Sequence, residues 1–269
     1  MSSPSTFAQP RDFLDQLALI PTMPPEPAHC DEHGAFEKRV TSIFPTGRRI
    51  YSGCPKCAAE RAEIAEQSRK DQEARDRVAA LASAFDRACI PPRFRACKFD
   101  NYTVSNDRQR RAAGIAKRYA DAASGGILVL CGKPGTGKTH LACAVAGAFI
   151  ERHRTALFST VTAAVRHVKD TYRRDSERSE SQAMNDLLTP DLLILDEVGV
   201  QLGTEHEMRI LFEVVNERYA DCLPTILISN LDEAELLKFT GARLMDRVRD
   251  GGAVVAFDWE SYRGKRLSA

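Results

Sequence analysis

Between residues 126 and 258 short apolar runs alternate with stretches that carry a helical period. "GILVLC" (126–131) reads as a strand, and the Ala-rich stretch from Lys138 to Arg152 reads as a helix. "TALFST" (155–160) is a second strand, followed by helix-like sequence to about residue 188. "DLLILDE" (191–197) is a third strand, "EHEMRILFEVVNERYA" (205–220) a helix, and "PTILISN" (224–230) a fourth strand. Two short helices precede a last strand, "GAVVAFD" (252–258). Five apolar strands alternating with helices predict an α/β fold, a parallel sheet covered on both faces.

The first ninety residues are different. Residues 1–29 are Pro-rich except for "RDFLDQLALI" (11–20), where Phe13, Leu14, Leu17 and Ile20 fall at helical spacing. "AAERAEIAEQSRKDQEARDRVAALASAFDRA" (58–88) is dense in Ala, Glu, Arg and Gln, and predicts a long exposed helix with a thin apolar stripe. "IPPRF" (90–94) ends it. The expected domains are an N-terminal helix and metal module (1–57), a helical linker (58–89) and a large domain (90–269).

A formal charge of +1 gives no global basic field, so any nucleic-acid contact must come from local patches. The apolar runs are too short to span a membrane, and the N-terminus lacks the pattern of a secretory signal. A cytoplasmic protein is expected, whose eight cysteines are free thiols or metal ligands.

Candidate chemistry begins with "GKPGTGKT", which fits G-x-x-x-x-G-K-[ST] across Gly132, Lys133, Pro134, Gly135, Thr136, Gly137, Lys138 and Thr139. It lies between a strand and a helix, where backbone N–H groups and the helix N-terminus face phosphates. Lys138 is expected at the β and γ phosphates, and Thr139 on magnesium. Asp196 and Glu197 end the strand "LLILDE". Helix capping accounts for one such carboxylate more readily than for two. Asp196 suits the magnesium shell and Glu197 a general base for water. Asn230, at the end of the next strand, is placed to orient that water, although Asn also simply begins loops.

A second cluster lies upstream. "CDEH" supplies Cys30 and His33, and "CPKC" supplies Cys54 and Cys57. These two paired ligands suit a closed tetrahedral Zn2+ site, which is structural because no position is left open. His29 is a possible substitute for His33. Lys38, Arg39, Arg48, Arg49 and Tyr51 lie between the pairs and offer contacts to phosphate, and the module equally suits a protein partner.

The runs "GKPGTGKTHLA", "LLILDEVG", "TILISNL", "RLMDRVRDGG" and "FDWESYR" resemble the DnaC group of AAA+ P-loop ATPases, the bacterial and phage replicative helicase loaders. The first three are shared with IstB-like transposition ATPases. The likeness covers roughly residues 90–266. It implies ATP and Mg2+ as ligands and ATP hydrolysis as the activity. It also implies self-assembly through ATP-bridged interfaces, single-stranded DNA as a ligand, and a hexameric DnaB-like replicative helicase as partner. Arg247 matches the family's arginine finger acting on a neighbouring subunit, with Arg243 a second candidate one turn away, and Arg263 matches an arginine acting in cis. A solvated helix face accounts for the same arginines without the resemblance, and Arg249 is expected to be solvated or to face DNA. The family also suggests that residues 163–188, with Arg166, His167, Lys169, Tyr172, Arg173 and Arg174, line a path for single-stranded DNA. The alternatives are an IstB-like ATPase acting on duplex DNA and a zinc-bearing DNA-binding protein switched by ATP without turnover.

Overall fold

The computed structural model describes residues 22–43, 48–122, 125–200 and 204–263. The predicted helix at 11–20 lies outside them. The chain divides into two compact units, one up to Arg77 and one from Val78 onward. This division falls inside the helix expected as a linker; the helix begins at Pro55 and takes in Cys57.

In the first unit β1 (Thr22–Cys30), β2 (Gly34–Ile43) and β3 (Arg48–Tyr51) form an antiparallel sheet in that order. β1 contains Pro24, Pro25 and Pro27, which lack a ladder donor, and it is accordingly an edge strand with an irregular register between Met23 and Glu26. The β1–β2 turn places Gly34 at φ 75°. Helix α1 (Pro55–Arg87) follows. Among the described residues up to Arg77, only Val40 and Cys54 are buried apolar groups. So small a core does not explain an ordered fold, a point that bears on the cysteines below.

The second unit holds α2 (Asp107–Ala122), β4 (Ile127–Gly132), α3 (Lys138–Glu151), β5 (Ala156–Thr160), α4 (Val161–Lys169) and α5 (Glu180–Leu188). It continues with β6 (Leu192–Val198), α6 (Glu205–Ala220), β7 (Thr225–Ser229), α7 (Glu233–Thr240), α8 (Ala242–Gly251) and β8 (Ala253–Phe257). The five strands pair in parallel in the order β5-β6-β7-β4-β8. The strand period of two sorts the side chains. Leu128, Leu130, Leu192, Ile194, Ile226 and Ile228 pack with α2, α3 and the stretch around Ala88 and Ile90. Ile127, Val129, Cys131, Leu193, Leu195 and Leu227 pack with α4 to α8 on the other face.

Helix α2 has no counterpart in the sequence expectations. Its buried stripe is Ala112, Ala116 and Ala120, small residues among arginines that carry little apolar signal. The final turns of α1 also depart from the expected exposed helix, since Leu81, Ala84 and Phe85 pack against the core of the second unit.

Candidate functional site

β4 lies between β7 and β8, where connections leave toward both sides of the sheet. Ligands gather outside the carboxyl ends of strands at such a switch point. Here the chain turns from Gly132 into α3 at Lys138. The loop needs positive φ at Gly132 (114°), Gly135 (77°) and Gly137 (99°). A Cβ on Gly132 would stand 2.6 Å from the Phe257 carbonyl oxygen, and one on Gly137 would stand 2.7 Å from the Tyr102 ring.

Lys133 and Pro134 are exposed, while Thr136 is buried and donates its hydroxyl to the Lys133 carbonyl at 2.7 Å. Lys138 is buried, and its Nζ donates to the carbonyls of Gly132 (2.6 Å) and Lys133 (2.7 Å). Burial pulls its pKa down to about 8; Asp196 and Cys131 oppose the shift and Arg263 adds to it. An ammonium so desolvated gains strongly from an anion placed beside it.

The end of β6 meets this loop. Thr139 donates its hydroxyl to Asp196 Oδ2 at 3.2 Å, and Asp196 Oδ1 accepts the Glu197 N–H at 2.7 Å. Burial raises the Asp196 pKa, against the Glu197 N–H, the Thr139 hydroxyl and Lys138. The hydroxyl and carboxylate form an all-oxygen pair that fits a hard cation such as magnesium.

Glu197 is exposed and sits at φ 64°, in the left-handed region. The β6–β7 register shifts between Leu195 and Val198, so the bulge turns the carboxylate out of the strand's alternation. Ser229 pins the bulge: its Oγ donates to the Val198 carbonyl at 2.6 Å and accepts the Leu231 N–H at 3.1 Å. The Leu231 carbonyl in turn accepts the Gly132 N–H at 2.8 Å. Asn230 is exposed between these two anchored residues. The ends of β6 and β7 and the start of the loop are thus tied by continuous hydrogen bonds.

The two arginines lie apart. Arg263 is exposed on the segment after β8, with its Cγ 3.2 Å from where a Cβ on Gly135 would stand. That places it beside the loop of its own chain. Arg247 stacks over the Tyr219 ring at 5.7 Å and donates to the Arg243 carbonyl at 2.9 Å. Its helix runs toward the amino end of the sheet, where a Cβ on Gly252 would stand 2.0 Å from the Ile127 carbonyl oxygen. Arg247 therefore faces away from its own phosphate loop. Arg249 pairs with Asp246 at 3.8 Å and is exposed.

In the first unit Cys30, His33, Cys54 and Cys57 bring their ligand atoms within 4.8 Å of one another. Cys30 ends β1, His33 lies in the following turn, and Cys54 and Cys57 flank the start of α1. His33 Nδ1 stands 3.2 Å from Cys57 Sγ and 3.8 Å from Cys30 Sγ. Its Nε2 pairs with Glu60 Oε1 at 2.8 Å. A carboxylate on the far nitrogen fixes the tautomer and orients Nδ1 toward the thiols, the usual support of a metal-binding histidine. Glu60 was not among the expected residues, although its place one helical turn after Cys57 was visible. His29 is exposed on β1 and outside the cluster, so His33 supplies the nitrogen.

The profile of the family described as "IstB-like ATP binding protein" matches residues 69–269. A relative named replicative helicase loader DnaC, from Escherichia coli (strain K12), is 37% identical over 229 residues, 84% of this chain and 90% of its own length. The chain belongs to the IstB/DnaC family. Solved structures agree in fold. The crystal structure of the DnaC helicase loader superposes with a TM-score of 0.55 at 19% identity, covering 62% of this chain and 99% of that one. The crystal structure of DnaI gives 0.54 at 20% identity, covering 65% and 94%. The five-stranded sheet and its loop are those of an AAA+ P-loop protein.

The stretch 163–188 is less basic in three dimensions than in sequence. It forms α4, a short 3-10 turn and α5 rather than one helix. His167 pairs with Asp186 at 2.8 Å, Lys169 with Glu207 at 3.1 Å, and Arg173 with Asp175 at 3.5 Å. The Tyr172 hydroxyl donates to Glu180 at 2.7 Å, and its ring lies against His206. Arg166 and Arg174 are exposed and stand outside these pairs. No helix of the described residues is long and apolar enough to cross a membrane.

Proposed function

We propose that this chain is an ATP-dependent loader of the replicative hexameric helicase onto single-stranded DNA. The observation that carries the reading is the relationship to the loader DnaC across 84% of the chain, beyond the phosphate-loop motifs shared with IstB-like ATPases. Capture of the full-length protein with the replicative helicase of its own host tests it. Recovery of a stoichiometric hexamer complex is expected. Failure to bind the helicase, together with tighter binding to duplex than to single-stranded DNA, would turn the reading to the IstB-like alternative.

The chemistry follows from positions. Backbone N–H groups of the loop and Lys138 hold the phosphates, and Arg263 reaches them from the same chain. Thr139 and Asp196 would hold magnesium, which supplies charge neutralisation at the β and γ phosphates. Glu197 takes a proton from the attacking water, and Asn230 orients that water. Arg247 acts on the nucleotide of an adjacent copy, so hydrolysis requires self-assembly. A cytoplasmic site of action follows from the helicase partner.

Glu197→Gln separates binding from turnover. The amide keeps the size of the side chain but does not accept the water's proton. ATP affinity is expected within a few-fold of wild type, while phosphate release falls by about 10²–10⁴. Unchanged turnover would reduce Glu197 to a residue of the bulge.

Cys30, His33, Cys54 and Cys57 would hold one structural Zn2+. Three thiols and an imidazole, with no place left for substrate, suit that role, and the sparse core of the unit supports it. Purified protein is expected to carry one zinc per chain. Chelation is expected to unfold the first unit and leave the second folded, as followed by circular dichroism and nucleotide binding. Metal-free protein with an intact first unit would eliminate the site.

A further inference from the structure

Several hydrogen bonds fasten the phosphate loop to segments outside its own motif. The Lys133 N–H donates to the Phe257 carbonyl at 3.0 Å, and the Tyr262 N–H donates to the Gly135 carbonyl at 2.8 Å. The Thr136 carbonyl accepts from Trp259 Nε1 at 3.0 Å and, over a longer 3.4 Å, from the Tyr102 hydroxyl. Trp259 is the only tryptophan of the chain. It is buried, with its ring 4.7 Å from that of Phe257. The chemistry described above uses neither Trp259 nor Tyr102.

A peptide unit is planar and trans, so its C=O and the following N–H point in opposite directions. Fixing the Gly135 carbonyl therefore sets the Thr136 N–H, and fixing the Thr136 carbonyl sets the Gly137 N–H. Both donors belong to the loop that cradles phosphate. Gly137 sits at φ 99° and has no side chain to restrain it, so this peptide flips most easily if left unheld. The buried indole is a donor with one partner and little freedom to turn.

We infer that Trp259 is a positioning residue for nucleotide binding: it holds the Thr136 carbonyl so that the Gly137 N–H faces the phosphates before ATP arrives. Tyr102 is a weaker second donor to the same oxygen. This rests on the reading of the loop as a nucleotide site. The same segment carries Arg263, so the loop and its cis arginine are set by one strap running from Phe257 to Arg263.

The test measures ADP and ATP affinity for wild type, Trp259→Phe, Tyr102→Phe and the double variant, each checked for folding. Phenylalanine keeps an aromatic ring against Phe257 and removes the N–H. Trp259→Phe is expected to weaken ADP and ATP alike by roughly fivefold, the size of one net hydrogen bond. Because either donor still holds the carbonyl in part when the other is gone, the double variant is expected to lose more than the product of the single losses. ADP binding within about twofold of wild type in folded Trp259→Phe protein would overturn the inference. So would full additivity, which makes each residue an independent packing contact. Wild type that binds no ADP is a separate result, and it removes the nucleotide reading along with the inference. If Trp259→Phe does not fold, the wild-type indole decides. A single tryptophan gives a single indole ¹⁵N–H resonance, which is expected to move on saturation with ADP and to stay still in Lys138→Ala protein. An unmoved wild-type resonance overturns the inference.

Discussion

Arg247→Ala protein mixed with Lys138→Ala protein is expected to regain ATP hydrolysis that neither shows alone. Lys138 touches the phosphate loop from within, through the carbonyls of Gly132 and Lys133, so its loss removes nucleotide binding in its own chain. Arg247 stands over Tyr219 and faces away from that loop. Its loss is therefore expected to leave the ATP affinity of an isolated chain unchanged. In an assembly it removes a guanidinium from the neighbouring phosphate, at a cost on the order of 10³ in rate. At some interfaces of the mixture, an intact loop from the Arg247→Ala chain meets an intact arginine from the Lys138→Ala chain. Phosphate release against mixing ratio measures the rescue. Activity that stays flat at every ratio, with assembly established by light scattering, would return "RLMDRVRDGG" to a solvated helix face. Arg243→Ala in the same mixture distinguishes the two candidate arginines, since the Arg243 carbonyl, rather than its guanidinium, supports Arg247.

The ATPase unit was legible because its strands are buried on both faces. Unbroken runs such as "ILVLC" and "LLIL" leave little choice of element, and the positions of glycine, lysine and acidic pairs follow from where those strands end. The first unit offers no such runs. Its sheet is polar and exposed, and three prolines in β1 argue locally against a strand, which survives because it lies on an edge. The clustering of Cys30, His33, Cys54 and Cys57 was readable without the fold, because the short spacing within each pair already brings its members together. Helix α2 was hidden for the opposite reason to β1: alanine packs closely but announces no apolar face. Glu60, Tyr102 and Trp259 were missed because each acts through a contact made only once distant segments meet. The pairs of His167 with Asp186 and of Lys169 with Glu207 were not legible, since each joins residues distant in sequence.

Arg218 is the clearest case of a role that only packing reveals. In sequence it is one more charge near the end of an amphipathic helix. In the fold it is fully buried and donates five hydrogen bonds: to the carbonyls of Leu187 (3.2 Å), Leu188 (2.8 Å), Pro190 (2.9 Å) and Pro224 (2.8 Å), and to the Thr225 hydroxyl (3.0 Å). Burial pulls its pKa down to about 10, opposed by Tyr119 and Asp191, so it stays charged at neutral pH. These carbonyls belong to the end of α5 and to the entries of β6 and β7, the strands that carry Asp196, Glu197 and Asn230 at their other ends. Arg218→Met fills similar volume but leaves several carbonyls buried without a donor. The expected loss is on the order of 4 kcal/mol. Melting of the ATPase unit is then expected roughly 10 °C lower, from the usual scaling of stability with melting temperature. Arg218→Lys is expected to fall between the two, since an ammonium keeps the charge but does not span the same fork of acceptors. Nucleotide affinity below the new transition should stay near wild type, because none of these bonds touches the loop. A melting curve for Arg218→Met within about 2 °C of wild type would mean that water replaces the guanidinium, and that the buried arginine does not hold the base of the sheet together.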